Sequence, residues 1–139
     1  MYLLDTLVVS ELRKVRANKA DPRVVGWANS VDTHLLHLSV VSVEELELGV
    51  LLAERRDPQK GAILRKWLHR QVMVAFDRRI LAVDSGVALR SAALHCPDPR
   101  PIRDALIAAT ALEHGLTVVT RNTAAFSPMG VALLDPWQA

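Results

Sequence analysis

Residues 1–6 of the chain read MYLLDT, a short apolar run that ends on an aspartate and a threonine. An uncharged run bounded by polar residues is typical of a strand that is covered on both faces of a sheet. We therefore predict a strand over Tyr2–Asp5 and a helix over Val8–Arg16. A simple structural explanation is that Asp5 or Thr6 caps this helix by accepting a backbone N–H hydrogen bond. The rest of the chain decides whether Asp5 also has a chemical role.

The length and composition predict a single domain that covers residues 1–139. Half of the residues are hydrophobic, which is enough to bury a core without crosslinks. The single cysteine, Cys96, excludes an internal disulfide and a cysteine-based zinc site, so we expect a reducing, cytoplasmic setting. The amino terminus has no basic region, and the longest uncharged run, residues 122–134, contains a proline and a glycine. We therefore expect neither a signal peptide nor a membrane span.

The remaining chain alternates between helical and strand patterns. Strand patterns cover residues 34–39, 79–83, 117–120 and 131–134, and helical patterns cover residues 21–31, 42–56, 57–76, 84–95 and 102–115. Asp21 and Pro22 open the second helix, and Gly115 ends the last one. Strands that are separated by helices need right-handed crossovers. The pattern therefore predicts an α/β domain with a mainly parallel sheet covered by helices on both sides.

Ligands of such sheets bind at the carboxyl ends of the strands, which is where Asp5 is predicted to lie. The helix after the second strand carries Glu45, which helical spacing places on one stripe with Leu48 and Leu52. We expect this stripe to pack on the sheet and Glu47, which lies off it, to be solvated. The alternative explanation is that Ser42 and Glu45 form a capping box at the start of the helix.

Two later segments of the chain contain polar residues that we expect at the same carboxyl edge of the sheet. Asp104 lies in the first turn of a helix that is apolar almost all round, so it either complements the helix dipole, pairs with Arg103 or takes part in a site. A buried strand ends at Thr120 and is followed by Asn122. This segment is either an ordinary polar turn or a further part of the site.

The convergence of these acids predicts a cation site. Like charges in a concave site repel unless a cation neutralises them. Oxygen ligands select Mg²⁺ or Mn²⁺, and the five histidines are too scattered for a zinc cluster.

The charge of the chain is unevenly distributed: residues 51–80 carry a net charge of +5 and the rest of the chain −3. This distribution suits a polyanion that binds beside an acidic region, although a solvated helix surface would look the same. Metal-assisted hydrolysis of a phosphodiester fits both features. The candidate backbone-binding residues are Arg65, Lys66, Arg70 and Arg121.

Four segments, in this order and spacing, resemble the PIN-domain ribonucleases, specifically the VapC-type toxins of bacterial type II toxin–antitoxin pairs. They are MYLLDT at residues 1–6, SVEELELGV at 42–50, RDALIAATALEHGLTVVTRN at 103–122 and LLDPW at 133–137. The resemblance implies a three-layer α/β/α fold and Mg²⁺- or Mn²⁺-dependent cleavage of RNA, including tRNA, that inhibits translation and growth. It also implies a homodimer that a VapB-like antitoxin holds inactive.

The resemblance also assigns roles to individual residues. Catalytic and metal-binding roles carry over to Asp5, Glu45 and Asp104, with Glu45 preferred over its neighbour Glu44 because the family's acid directly precedes the leucine of this helix. The supporting positions are Thr6, Thr120 and Asn122.

The chain departs from the family pattern at two positions. Leu7 stands where an asparagine is common, and Asn122 stands where an aspartate is frequent. An amide adds no negative charge to a site. A second hypothesis is therefore a PIN-like module that binds RNA or an antitoxin without cleavage. A phosphate-accepting receiver domain is excluded, because all four lysines precede the last strands, near which such a domain needs one.

Overall fold

The computed structural model describes residues 1–139, which form a five-stranded parallel sheet with helices on both faces. The strand order is β3-β2-β1-β4-β5, so β1 lies at the centre. The strands are β1 (Tyr2–Leu4), β2 (Leu36–Ser39), β3 (Ile80–Leu81), β4 (Thr117–Val119) and β5 (Leu133–Leu134). All four strand pairings are parallel, as the alternation of elements predicts.

The helices follow the predicted order. They are α1 (Thr6–Leu12), α2 (Pro22–Asn29), α3 (Val40–Arg56), α4 (Pro58–Trp67), α5 (Met73–Ala75), α6 (Ser85–Leu94), α7 (Ile102–His114) and α8 (Thr123–Phe126). A 3-10 turn over Arg13–Val15 extends α1, and a π-helical segment over Leu68–Val72 joins α4 to α5. Asp21 caps α2 and Gly115 ends α7 in the left-handed conformation, both as predicted. None of the helices has the length and apolar character needed to cross a membrane.

Two cores, one on each face of the sheet, confirm the three-layer arrangement. The adjacent residues Leu3 and Leu4 are both fully buried and point to opposite faces. Leu4 belongs to a core with Val8 and Trp27, whereas Leu3 belongs to a core with Ile107 and Phe126. The central strand is therefore held from both sides, which fixes the position of the residue that follows it.

The predicted start and buried face of α3 were wrong. The helix begins at Val40 with Ser39 as its N-cap, so Ser42 lies within the helix and no capping box forms with Glu45. Leu48 and Leu52 are 40% and 52% exposed, and the buried residues of this part of the helix are Val41, Ser42, Leu46 and Val50. The helix carries apolar residues on more than one side, and packing against α1, α4 and α7 selects one of them.

Candidate active site

Asp5 connects β1 to α1 at the carboxyl edge of the sheet. Its Oδ1 accepts a hydrogen bond from the backbone N–H of Thr6 at 2.8 Å, which makes Asp5 the N-cap of α1. Its Oδ2 accepts a hydrogen bond from the hydroxyl of Thr120 at 2.8 Å, across from β4. The residue is only 7% exposed. Capping and participation in a site are therefore compatible, because each uses a different oxygen atom.

Glu45 is held next to Asp5 by the first residue of α1. The Thr6 hydroxyl donates to Glu45 Oε1 at 2.8 Å, and the hydroxyl oxygens of Thr6 and Ser42 are 3.0 Å apart. Ser42 and Glu45 are one turn apart on α3, so both reach the same point on α1. Thr6 thereby joins α1 to α3 and orients the Glu45 carboxylate, which is 28% exposed.

Asp104 reaches the site from the first turn of α7, where it is half-buried. The predicted alternative of an ion pair with Arg103 does not occur. Arg103 instead lies 3.7 Å from the carboxylate of Glu44 and 4.0 Å from that of Glu45. The Asp104 carboxylate makes no hydrogen bond within the protein, so its oxygen atoms remain free for a ligand.

The electrostatics place the three acids in one cluster. Burial raises the pKa of the Asp5 carboxyl, and the charges of Asp104 and Glu45 add to this effect, while the hydrogen bonds from Thr120 and Thr6 lower the pKa and oppose the rise. Burial also raises the pKa of Asp104, and the charge of Glu45 raises it further. Removing a carboxylate or adding a cation would therefore relieve unfavourable energy in this cluster.

The donor set is compatible with a hard divalent cation. The acids present carboxylate oxygens only, and Asp104 and part of Glu45 are unengaged. No three His, Cys, Asp or Glu side chains converge closely enough to ligate one ion together. Mg²⁺ typically keeps several waters and uses one or two carboxylates from a protein. Asp5 and Asp104 would suffice as the carboxylate ligands of such a site, and Glu45 need not bind the ion directly.

Replacing Asp104 by Asn should stabilise the protein increasingly as the pH rises. A carboxyl whose pKa is raised by folding binds its proton more tightly in the folded state, so the folded state loses stability as the pH rises from 3.8 through the raised pKa. Asp104→Asn lacks this loss. Urea unfolding in EDTA from about pH 4 to about pH 8 should show a difference in free energy of unfolding that grows and then levels. A difference that is constant or falls with pH would contradict the raised pKa.

The predicted supporting residues Thr120 and Asn122 follow β4. Thr120 is fully buried and also accepts a hydrogen bond from the backbone N–H of Asn122 at 3.0 Å. The exposed Asn122 thus supports Thr120 through its backbone, whereas its side chain makes no hydrogen bond within the protein. Leu7 is 52% exposed and adds no polar group.

The basic residues that were predicted to bind a nucleic-acid backbone are in different situations. Arg65 is engaged with Glu54 at 2.8 Å and with Glu47 at 2.5 Å, so its charge is already balanced and Glu47 is less solvated than predicted. Arg121 is exposed and lies over the ring of Trp137 at 5.3 Å. Lys66 and Arg70 are exposed and make no ion pair.

The roles of Ser42 and Arg103 were not predicted from the sequence. Ser42 precedes Glu45 by one helical turn, and this spacing was available as a signal, but it was interpreted as a capping box. Arg103 directly precedes Asp104, and nothing in the sequence indicates that it turns toward α3.

Fold and site together define a class of protein: a three-layer α/β/α domain with a carboxylate cluster at the carboxyl edge of its parallel sheet. The model of the PIN domain family matches residues 2–130. The chain belongs to the PIN domain family, which confirms the predicted resemblance.

Two relatives and one solved structure are similar over nearly the whole chain. It is 38% identical over 142 residues to Toxin FitB of Neisseria gonorrhoeae, with 99% of each chain covered. The crystal structure of FitAcB from Neisseria gonorrhoeae superimposes with a TM-score of 0.90 at 35% identity and covers 100% of both chains. The VapC ribonuclease Y4jK of Sinorhizobium fredii is 32% identical over 143 residues, again with 99% of each chain covered.

Proposed function

We propose that this protein is a VapC-type toxin that cleaves RNA with the help of Mg²⁺ or Mn²⁺. The observation that carries the proposal is the cluster of Asp5, Glu45 and Asp104 at the carboxyl edge of the sheet, where burial and mutual repulsion raise the pKa of two of the three acids. Relatives named as a toxin and as a ribonuclease, similar over their full length, support the same class.

The residues of the site have separable tasks in this reaction. When bound, a divalent cation supplies activation of water and stabilisation of negative charge on the phosphate. Asp5 and Asp104 would hold it, and the hydrogen bonds from Thr6 and Thr120 keep the Asp5 carboxylate in one orientation. The Thr6 hydroxyl orients Glu45, which is placed to accept a proton. Arg103, at 4.0 Å from Glu45, adds a positive charge beside the cluster that would attract the phosphodiester.

The proposed partners follow from the same class. A ribonuclease that acts on the cell's own RNA in the cytoplasm needs an inhibitor, and we propose a VapB-like antitoxin for this role and a homodimer as the functional unit. The name of the relative Toxin FitB supports the need for an antitoxin. Exposed apolar side chains on α3, among them Leu48, Leu51 and Leu52, offer surface for such contacts.

Cleavage should depend entirely on a divalent cation. The antitoxin-free protein, incubated with total bacterial RNA and Mn²⁺, should produce discrete fragments whose mapped 5′ ends identify the target, tRNA being the first to inspect. EDTA should abolish these fragments, and excess Mg²⁺ or Mn²⁺ should restore them, because without the ion the site would have no group that activates water and stabilises negative charge on the phosphate. Intact RNA at high protein concentration, together with no metal binding by calorimetry, would instead favour a module that binds without cutting.

A further inference from the structure

A groove between the end of α1 and the face of α4 is lined by four cationic side chains and one tryptophan. Its volume is about 440 Å³, and the cations are Arg13, Arg16, Lys66 and Arg70. The other lining residues are neutral, among them Ile63, Leu64 and Trp67, and no acidic residue lines it. This α1–α4 groove therefore has a strongly positive potential for its size.

The positive charge of the α1–α4 groove is not compensated within the protein. All four cationic side chains are exposed, and none of them takes part in a salt bridge. The contrast with Arg65 on the same helix is clear, because that side chain is bound to two glutamates of α3. The groove thus keeps its charge for a ligand that is itself negative.

The groove continues into the candidate active site. A second cleft of about 190 Å³ shares Arg13, Leu64 and Trp67 with the groove and reaches Thr6 and Glu45 at its other end. A chain molecule could therefore extend from the carboxylate cluster past Arg13 into the α1–α4 groove. Arg13 and Trp67 stand at the junction of the two cavities.

Trp67 and Arg13 form a platform at this junction. Trp67 is partly exposed, and the Arg13 guanidinium lies 5.9 Å from the centre of its ring. Proteins that bind single-stranded nucleic acid combine a positive groove along the backbone with aromatic rings on which bases stack. An arginine next to the ring adds a cation–π contribution.

We propose that the α1–α4 groove binds the single-stranded RNA next to the cleaved phosphodiester, with a base stacked on Trp67 and phosphates on Arg13, Arg16 and Arg70. This inference rests on the proposed function and assigns its substrate path. Phosphates match the uncompensated cations, and a base matches the tryptophan, so both chemical features of the groove are used. An acidic peptide would match the cations and would leave the ring without a stacking partner.

The test measures binding separately from cleavage by using the Asp104→Asn protein as the parent. A fluorescein-labelled single-stranded RNA of about 12 nucleotides is titrated with Mg²⁺ at several KCl concentrations. Arg16→Ala and Arg70→Ala should each reduce the slope of log Kd against log salt by about 0.7, since each removes one phosphate contact. Arg55→Ala, which removes an exposed arginine outside the groove, is the matched control and should leave the slope unchanged.

Stacking is tested at Trp67. Trp67→Leu should weaken RNA binding roughly 5- to 150-fold, whereas Trp67→Phe should retain most of the affinity because a ring remains. RNA should also quench tryptophan fluorescence in the parent and much less in Trp67→Phe, since the other tryptophans, Trp27 and Trp137, are buried. The melting temperature of each variant establishes that it is folded.

RNA binding by the groove and RNA cleavage at the site are tested by separate measurements. Equal RNA affinity and equal salt slope in the parent, the groove variants and Arg55→Ala would overturn the groove assignment and leave the groove to a protein partner. Metal-dependent cleavage by the unsubstituted protein would in that case still uphold the proposed ribonuclease. Absence of any metal-dependent cleavage by the unsubstituted protein would overturn the ribonuclease itself, whatever the groove binds.

Discussion

Asp5→Asn and Asp104→Asn should each lower RNA cleavage by at least about a hundred-fold without unfolding the protein. Asparagine keeps the shape of the side chain but removes the charge that holds a cation. At position 5 the amide oxygen can still cap α1, because asparagine is as good an N-cap as aspartate. The loss is therefore one of chemistry, and single-turnover cleavage of a mapped target RNA at saturating protein concentration measures it.

A matched control separates the role of these acids from a general effect of charge. Asp98→Asn removes one exposed carboxylate in the loop between α6 and α7, and it should leave the cleavage rate unchanged. Metal binding gives an independent measurement, since a ligand present at 100 times its Kd stabilises a protein by about 2.7 kcal/mol. Mn²⁺ should raise the melting temperature of the parent and of Asp98→Asn, and much less that of the two site variants. Full activity in Asp104→Asn would remove this residue from the mechanism.

Gly61→Ala should destabilise the protein by roughly 2–3 kcal/mol, although alanine is normally the better helix former. A Cβ atom at Gly61 would meet the Cα of Glu54 and would lie 2.7 Å from its backbone nitrogen. Backbone atoms cannot rotate away as a side chain can, so α3 and α4 would have to move apart. That movement would also stretch the ion pairs of Arg65 with Glu47 and Glu54. Urea denaturation measures the change.

Gly26→Ala is the matched variant for this experiment. Gly26 also lies inside a helix, α2, but a Cβ atom there would meet nothing within 4 Å. Alanine at this position should stabilise the protein by about 0.5–1 kcal/mol, because it reduces the freedom of the unfolded chain. Opposite signs for the two substitutions are expected, and stabilisation by both would show that α3 and α4 do not pack this closely.

Much of the fold was predictable because the signals are local. Asp21–Pro22 and Gly115 mark helix ends by local capping and backbone preferences that do not depend on distant residues. The central strand is an uncharged run, and parallel pairing follows from the alternation of elements. The buried face of α3 was not predictable, because the helix has apolar residues on several sides and its neighbours select among them. The short helix α8 and the 3-10 turns lack a periodic pattern long enough to detect.

The candidate site was also predictable only in part. The sequence by itself determined that Asp5 ends the first strand and that Glu45 and Asp104 lie near the starts of helices. It predicted that the three acids would lie at one edge of the sheet, since parallel strands have their carboxyl ends on the same side. Only the tertiary structure decided which hydrogen bonds orient these acids and which basic side chains are without an ion pair. Thr6 reaches Glu45 and Thr120 reaches Asp5, while Arg65 is neutralised and Arg13 is not. These outcomes depend on distances between residues far apart in the chain, which local pattern and spacing do not contain.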